Sequence, residues 1–150
     1  MRLHGDREPR QPQQGTTGGA TCCSGADNEV WSYGPKVYEI CKKYMSIREQ
    51  LRDYTRGIME EAHIKGTPVI RPCFYSFPAD KKSWEVYTQY MYGDKYLCCP
   101  VLAPGLKMLD IYLPAGAEWK SFAGETKLMG GQMVQVECPL DVMPVFVRQQ

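Results

Sequence analysis

The side chains able to do chemistry are few. They include two histidines, His4 and His63, and the carboxylates Asp6, Asp27, Asp53, Asp80, Asp94, Asp110 and Asp141. Acid–base chemistry needs two carboxyl groups held in different environments, one ionised and one protonated. Nothing in the spacing pairs any two of these aspartates, and each reads as a cap, a turn or a solvated charge. There are seven cysteines, with adjacent pairs at Cys22-Cys23 and Cys98-Cys99; Cys41, Cys73 and Cys138 lie among apolar residues. No Cys-x-x-Cys or Cys/His ligand spacing occurs, so the residues exclude the usual zinc frameworks. The thiols read as small buried hydrophobes rather than disulfides, metal ligands or redox groups. With no Asn-x-Ser/Thr acceptor present, they fit a reducing compartment such as the cytoplasm.

These residues sit on a chain whose character changes twice. Residues 1–27 are polar and glycine-rich, without periodicity, and read as a loop too long for an ordinary connection. Ser32 and Pro35 then offer a cap and a first-turn residue. The spacing of Val37, Ile40, Cys41, Tyr44, Met45, Leu51, Tyr54, Ile58, Met59 and Ala62 predicts one long amphipathic helix. Gly66 is its natural stop, and His63 falls in its last turn, as a helix-end residue. Residues 66–78 follow, rich in β-branched and aromatic side chains, and read as one buried strand. A strand directly after a helix and apolar on both faces predicts a parallel sheet covered by helices, yet the sequence offers no neighbours for it. A short helix is expected from Asp80 to Met91. Beyond it, apolar segments at 96–102, 108–113, 119–122, 133–136 and 142–147 alternate with Pro/Gly turns and predict an antiparallel sandwich.

Hydrophobic residues make up 43% of the chain, enough for a globular core, and the net charge of +1 gives no electrostatic case for nucleic acid or an anionic membrane. No apolar run is long enough to span a bilayer, and no signal-peptide pattern is visible at the start.

The order of short motifs carries more than the composition does. Met1-Arg2-Leu3-His4-Gly5 and Asn28-Glu29-Val30-Trp31-Ser32-Tyr33-Gly34 come first. Next are Ala62-His63-Ile64-Lys65-Gly66-Thr67-Pro68-Val69-Ile70-Arg71-Pro72, Phe77-Pro78-Ala79-Asp80 and Gln89-Tyr90-Met91-Tyr92-Gly93-Asp94. Pro100-Val101, Tyr112-Leu113-Pro114-Ala115-Gly116, Gly130-Gly131 and the run from Pro139 to Arg148 close the series. In this order they resemble the C-terminal part of glycoside hydrolase family 31, the α-glucosidase and α-xylosidase family.

The resemblance implies an α+β fragment. It comprises the end of a (β/α)8 TIM barrel over 1–92, with the long helix and strand eight, and then an antiparallel β-sandwich over 93–150. It implies retaining hydrolysis of α-linked glucosides or xylosides, for which two carboxyl groups stand about 5 to 5.5 Å apart. Both catalytic aspartates belong to earlier barrel strands, so no aspartate here takes either role. His4, in the Arg-x-His motif after strand seven, is the implied substrate-binding residue, since an imidazole can donate to one sugar hydroxyl and accept from another. Without the resemblance it reads as structural or disordered. Arg2 has no assigned role; Trp31 and Tyr33 fit a sugar rim or packing under the loop, and Phe74 and Phe77 are equally open. No cofactor or metal is implied. The partners are an oligosaccharide or glycoside substrate and the upstream barrel segment of the same enzyme. Half a barrel exposes sheet edges, so the isolated chain is expected to be poorly soluble or partly folded. The competing reading is a non-catalytic carbohydrate-binding or interaction module built on the sandwich.

Overall fold

A computed structural model describes residues 30, 31 and 33–149. The chain divides into two compact units, one ending at Arg56 and one beginning at Gly57. The described part of the first unit is mainly helix α1, Pro35–Gln50. Pro35 takes the first turn, where its missing N–H costs nothing, and Gly34 is the N-cap at φ 84°. The cap expected at Ser32 lies outside the described residues. Leu51 leaves helical geometry for one residue, yet its N–H still reaches the Ile47 carbonyl at 3.1 Å, and Thr55 N–H reaches Leu51 at 2.8 Å. The hydrogen-bond ladder therefore runs on into α2, Arg52–Lys65. None of the residues of α1 is buried: Val37, Ile40, Cys41, Tyr44 and Met45 form a half-exposed stripe. Gly66 stops α2 with φ 69°, its N–H on the Ala62 carbonyl.

The second unit corrects the sequence reading at the junction. Residues 66–78 are not one buried strand. Only Ile70–Pro72 is strand (β1); Cys73–Ser76 closes a single helical turn (α3). Proline cannot donate to a ladder, and Pro72 is the residue at which the strand ends and the turn begins. Nor is the segment apolar-buried throughout: Ile70 is 60% and Tyr75 47% exposed. The partner of β1 is antiparallel, not parallel: β2, Tyr90–Tyr92, pairs Arg71 with Met91.

The short helix expected over 80–91 is also corrected. It is one 3-10 turn, Lys81–Trp84, capped by Asp80 through the Lys82 N–H at 3.1 Å. Trp84 and Tyr87 are exposed, so no apolar helix face exists to be buried. Tyr90 and Met91 instead enter β2, which turns at Gly93 (φ 63°) into β3, Tyr96–Cys98.

The remaining strands are β4 (Met108–Leu113), β5 (Glu118–Ser121), β6 (Lys127–Met129), β7 (Gln132–Glu137) and β8 (Val145–Gln149). Among the described residues every pairing is antiparallel, in one sheet of order β1-β2-β3-β8-β5-β6 and one of order β4-β7. The sandwich expectation therefore holds in kind, with β6 an addition. Alternation sends Met91, Leu97, Phe146 and Trp119 of the large sheet, and Ile111 and Leu113 of β4, into one core with Cys73, Phe77 and Cys99. Trp119 lies at its centre, fully buried, 5.7 Å between ring centroids from Phe77, its indole N–H on the Pro114 carbonyl at 3.0 Å. Each such apolar side chain contributes about 1.5–3 kcal/mol on burial.

Candidate functional site

Three of the motifs singled out in the sequence meet at Asp80, Gln89 and Tyr112. The Asp80 carboxylate accepts from Lys82 N–H (3.1 Å), Ser83 hydroxyl (2.9 Å), Ala115 N–H (2.9 Å) and the Tyr112 hydroxyl, 3.0 and 2.9 Å from its two oxygens. Desolvation pushes the Asp80 carboxyl up, but the Ala115, Tyr112, Ser83 and Lys82 donors outweigh it and hold it below the ordinary carboxylate range. Desolvation likewise pushes the Tyr112 phenol up to about 12, with the Asp80 hydrogen bond and charge adding to it. From the other side, the buried Gln89 carboxamide acts as an extra peptide rung. Its oxygen accepts from Tyr112 N–H at 3.0 Å, and its NH2 donates to the Tyr112 carbonyl. The arrangement is a clamp fastening the junction loop to β4. A carboxylate so fully engaged has no lone pair directed at a substrate.

A fourth motif closes on the same loop. Gly131, at φ 86°, donates its N–H to the Leu113 carbonyl at 2.7 Å, and Gly130 donates to Ala117 at 2.9 Å. A Cβ on Gly130 would stand 2.0 Å from the Pro114 carbonyl oxygen, so the close approach requires glycine.

The other described aspartates lie apart from this cluster. Asp53 is exposed in the first turn of α2, 3.6 Å from Arg56, and Asp110 on β4 accepts from Gln135 at 3.1 Å. Asp94 and Asp141 are exposed. His63 is exposed in the last turn of α2. His4, Arg2, Asp6, Asp27, Cys22 and Cys23 lie outside the described residues. Trp31 and Tyr33 are 66% and 53% exposed in the turn before α1. Phe74 stacks on Trp84 with centroids 4.7 Å apart, while Phe77 belongs to the core with the Arg148 guanidinium 5.0 Å from its centroid. Cys73, Cys98, Cys99 and Cys138 are buried free thiols and Cys41 is a half-exposed one. Burial pushes Cys73 and Cys98 up to about 11 and Cys99 further. Trp119, the tryptophan a sugar-binding sandwich would have to present, is enclosed.

Residues 66–150 match the family model described as the glycosyl hydrolase family 31 C-terminal domain. The chain belongs to glycoside hydrolase family 31. Among solved family 31 structures, an α-xylosidase from a soil metagenome, complexed with xylose, is 38% identical with a TM-score of 0.82, over 93% of this chain and 21% of its own. A Flavobacterium johnsoniae dextranase complexed with glucose is 33% identical, TM-score 0.80, over 83% of this chain and 15% of its own. The α-glucosidase 2 of Bacillus thermoamyloliquefaciens is 31% identical over 121 residues, 81% of this chain and 15% of that protein. The chain thus spans between 15% and 21% of the length of these family 31 relatives. The Asp80–Gln89–Tyr112 clamp was missed in the sequence because its partners are up to 35 residues apart. The signal available was that the three motifs occur together.

Proposed function

We propose that this chain is the C-terminal part of a retaining α-glycosidase acting on α-linked glucosides or xylosides. The observation that carries the reading is the family match at residues 66–150, in a chain like a xylose-bound α-xylosidase but covering 21% of it. In this reading the nucleophile and the acid/base are aspartates of the upstream barrel segment, which is the chain's partner within one enzyme. The helices and β1 close the (β/α)8 barrel as its last helix and strand eight, within 1–92, and the sandwich proper is 93–150. The half-exposed stripe of α1 and the position of β1 at the edge of its sheet support this. His4 contacts hydroxyls of the sugar being cleaved.

The chain alone is then inactive. Assay of aryl α-glucosides and α-xylosides should give no turnover with the chain by itself. Turnover should appear when it replaces the matching segment of the soil-metagenome α-xylosidase, and His4→Ala should depress kcat/KM in that chimera. Hydrolysis by the isolated chain, or an inert but folded chimera, would overturn the reading.

A further inference from the structure

A single exposed apolar side chain is ordinary in a folded protein. Trp84 differs because it is both exposed and fixed. The residue is 60% exposed, yet its indole N–H donates to the Pro78 carbonyl at 3.1 Å. One face of the ring lies on Phe74, with centroids 4.7 Å apart and planes 18° from parallel. The opposite face is the one left open. The backbone beneath it is held as firmly. Trp84 ends the 3-10 turn Lys81–Trp84, where Asp80 accepts from the Lys82 N–H and the Ser83 hydroxyl and ties both to Tyr112 and Ala115. Ser83, its neighbour, is fully buried. Three residues on, Tyr87 is 92% exposed. The loop thus presents a flat apolar face whose one polar atom is already satisfied, with little rotamer freedom left to lose on binding.

We propose that the open face of Trp84 carries a sugar ring of the substrate, outside the unit being cleaved. The inference rests on the glycosidase reading above and adds the substrate class: α-linked oligosaccharides rather than glycosides of a small aglycone. Position favours a sugar over another occupant. In the barrel reading β1 is strand eight, and Trp84 lies on the loop leaving its C-terminal end, the end at which barrel sites open. Shape favours it too. A pyranose has a flat face of C–H groups that lies against an indole while its hydroxyls point away to water. Rigid aromatic side chains give such contact area at small entropic cost. The exposure of Trp84 selects an outer unit, because the sugar under attack is held away from water.

The test compares two substrates in the chimera with the soil-metagenome α-xylosidase. One is an α-xylosyl-capped gluco-oligosaccharide; the other is α-xylosyl fluoride, which has no outer sugar. Trp84→Leu keeps an apolar side chain on Phe74 but removes the aromatic face. It should raise KM for the oligosaccharide about 10-fold, with kcat little changed, because the lost contact is made equally in the ground and transition states. For the fluoride, kcat/KM should stay within about twofold of the parent. Trp84→Phe, which restores a ring, should recover part of the oligosaccharide KM. Equal effects on the two substrates, or none on either, overturn the inference. If the upstream segment rather than a sugar covers the indole, Trp84→Leu lowers the urea midpoint and slows both substrates, or the variant fails to fold, and the inference is again overturned. Fluoride turnover by the parent chimera reports separately on the glycosidase reading: its absence sinks that reading and this inference together, whereas the Trp84 inference alone fails while the fluoride is still consumed.

Discussion

Replacing Asp80 by asparagine changes one oxygen to an NH2 and little else, so it isolates what the carboxylate contributes. Of its four donor groups, two are hydroxyls, Ser83 and Tyr112, which can turn to accept from an amide. The other two are backbone N–H groups on different oxygens, Lys82 on Oδ1 and Ala115 on Oδ2. However the carboxamide is flipped, its NH2 faces one of them, donor against donor. With the loss of charge assistance at the remaining bonds, Asp80→Asn should cost about 2–3 kcal/mol. Asp80→Ala removes the cap as well and leaves the Tyr112 hydroxyl and the Ala115 amide without an acceptor, for about 4 kcal/mol in all. Urea unfolding followed by tryptophan emission suits the measurement, because Trp119 is enclosed while Trp31 and Trp84 are exposed. The pH dependence has a definite sign. The folded carboxyl titrates below its ordinary value. Its contribution is therefore fully present above the unfolded-state pKa and is lost as pH falls through the folded one. The gap between wild type and Asp80→Asn should be constant near neutrality and narrow below about pH 4. An asparagine variant as stable as wild type at pH 7, or a gap that persists unchanged in acid, would refute the clamp.

Gly130→Ala puts a Cβ into backbone oxygen, at 2.0 Å from Pro114 and 2.8 Å from Ala117, and should destabilise by about 3 kcal/mol or more in the same assay. Gly124→Ala, whose Cβ would meet Ser121 at an ordinary 3.4 Å, should change stability by no more than about 0.5 kcal/mol. Alkylation at pH 8 followed by mass spectrometry should modify Cys41 ahead of the buried thiols. Cys73 and Cys98, raised to about 11 by burial, should react only after urea is added.

The sandwich was legible because each strand's alternation is local. The segment 108–113 matches β4 end for end, and the turns fall where Pro and Gly stand. The junction was misread because apolar runs of this length look alike whether they form a buried strand, a helical turn or a hairpin. Val69 to Phe77 contains all the residues of a buried strand, but Pro72 ends the ladder and Cys73 starts a turn whose amide–carbonyl bond, Phe77 to Cys73, is 2.9 Å. The spacing around Met91 fits a helix, though its place is opposite Leu97 in a hairpin. That choice is made by the core, which needs Met91 beside Leu97 and Phe146, and no window around residue 91 contains that information. The clamp was hidden for the same reason: Asp80 could be read as a cap, which it is, but not as the acceptor for Tyr112 and Ala115.

What the motifs share is position in the architecture rather than chemistry. Asp80, Gln89, Ala115 and Gly130 are polar or small residues in loops, the kind of positions where a catalytic centre is usually sought, and Tyr112 stands beside them near the end of β4. Here every one of them is engaged with backbone or with another member of the group. A substitution at any of them lowers stability without touching a reacting atom, so activity lost through Asp80 or Gly130 in a complete enzyme should return when the fold is stabilised by other means. Loss through the sugar contact proposed at His4 should not. That difference separates the residues that hold this fold from the sugar contact proposed at His4, and among the described aspartates it puts Asp80, the one drawn into a polar cluster, on the structural side.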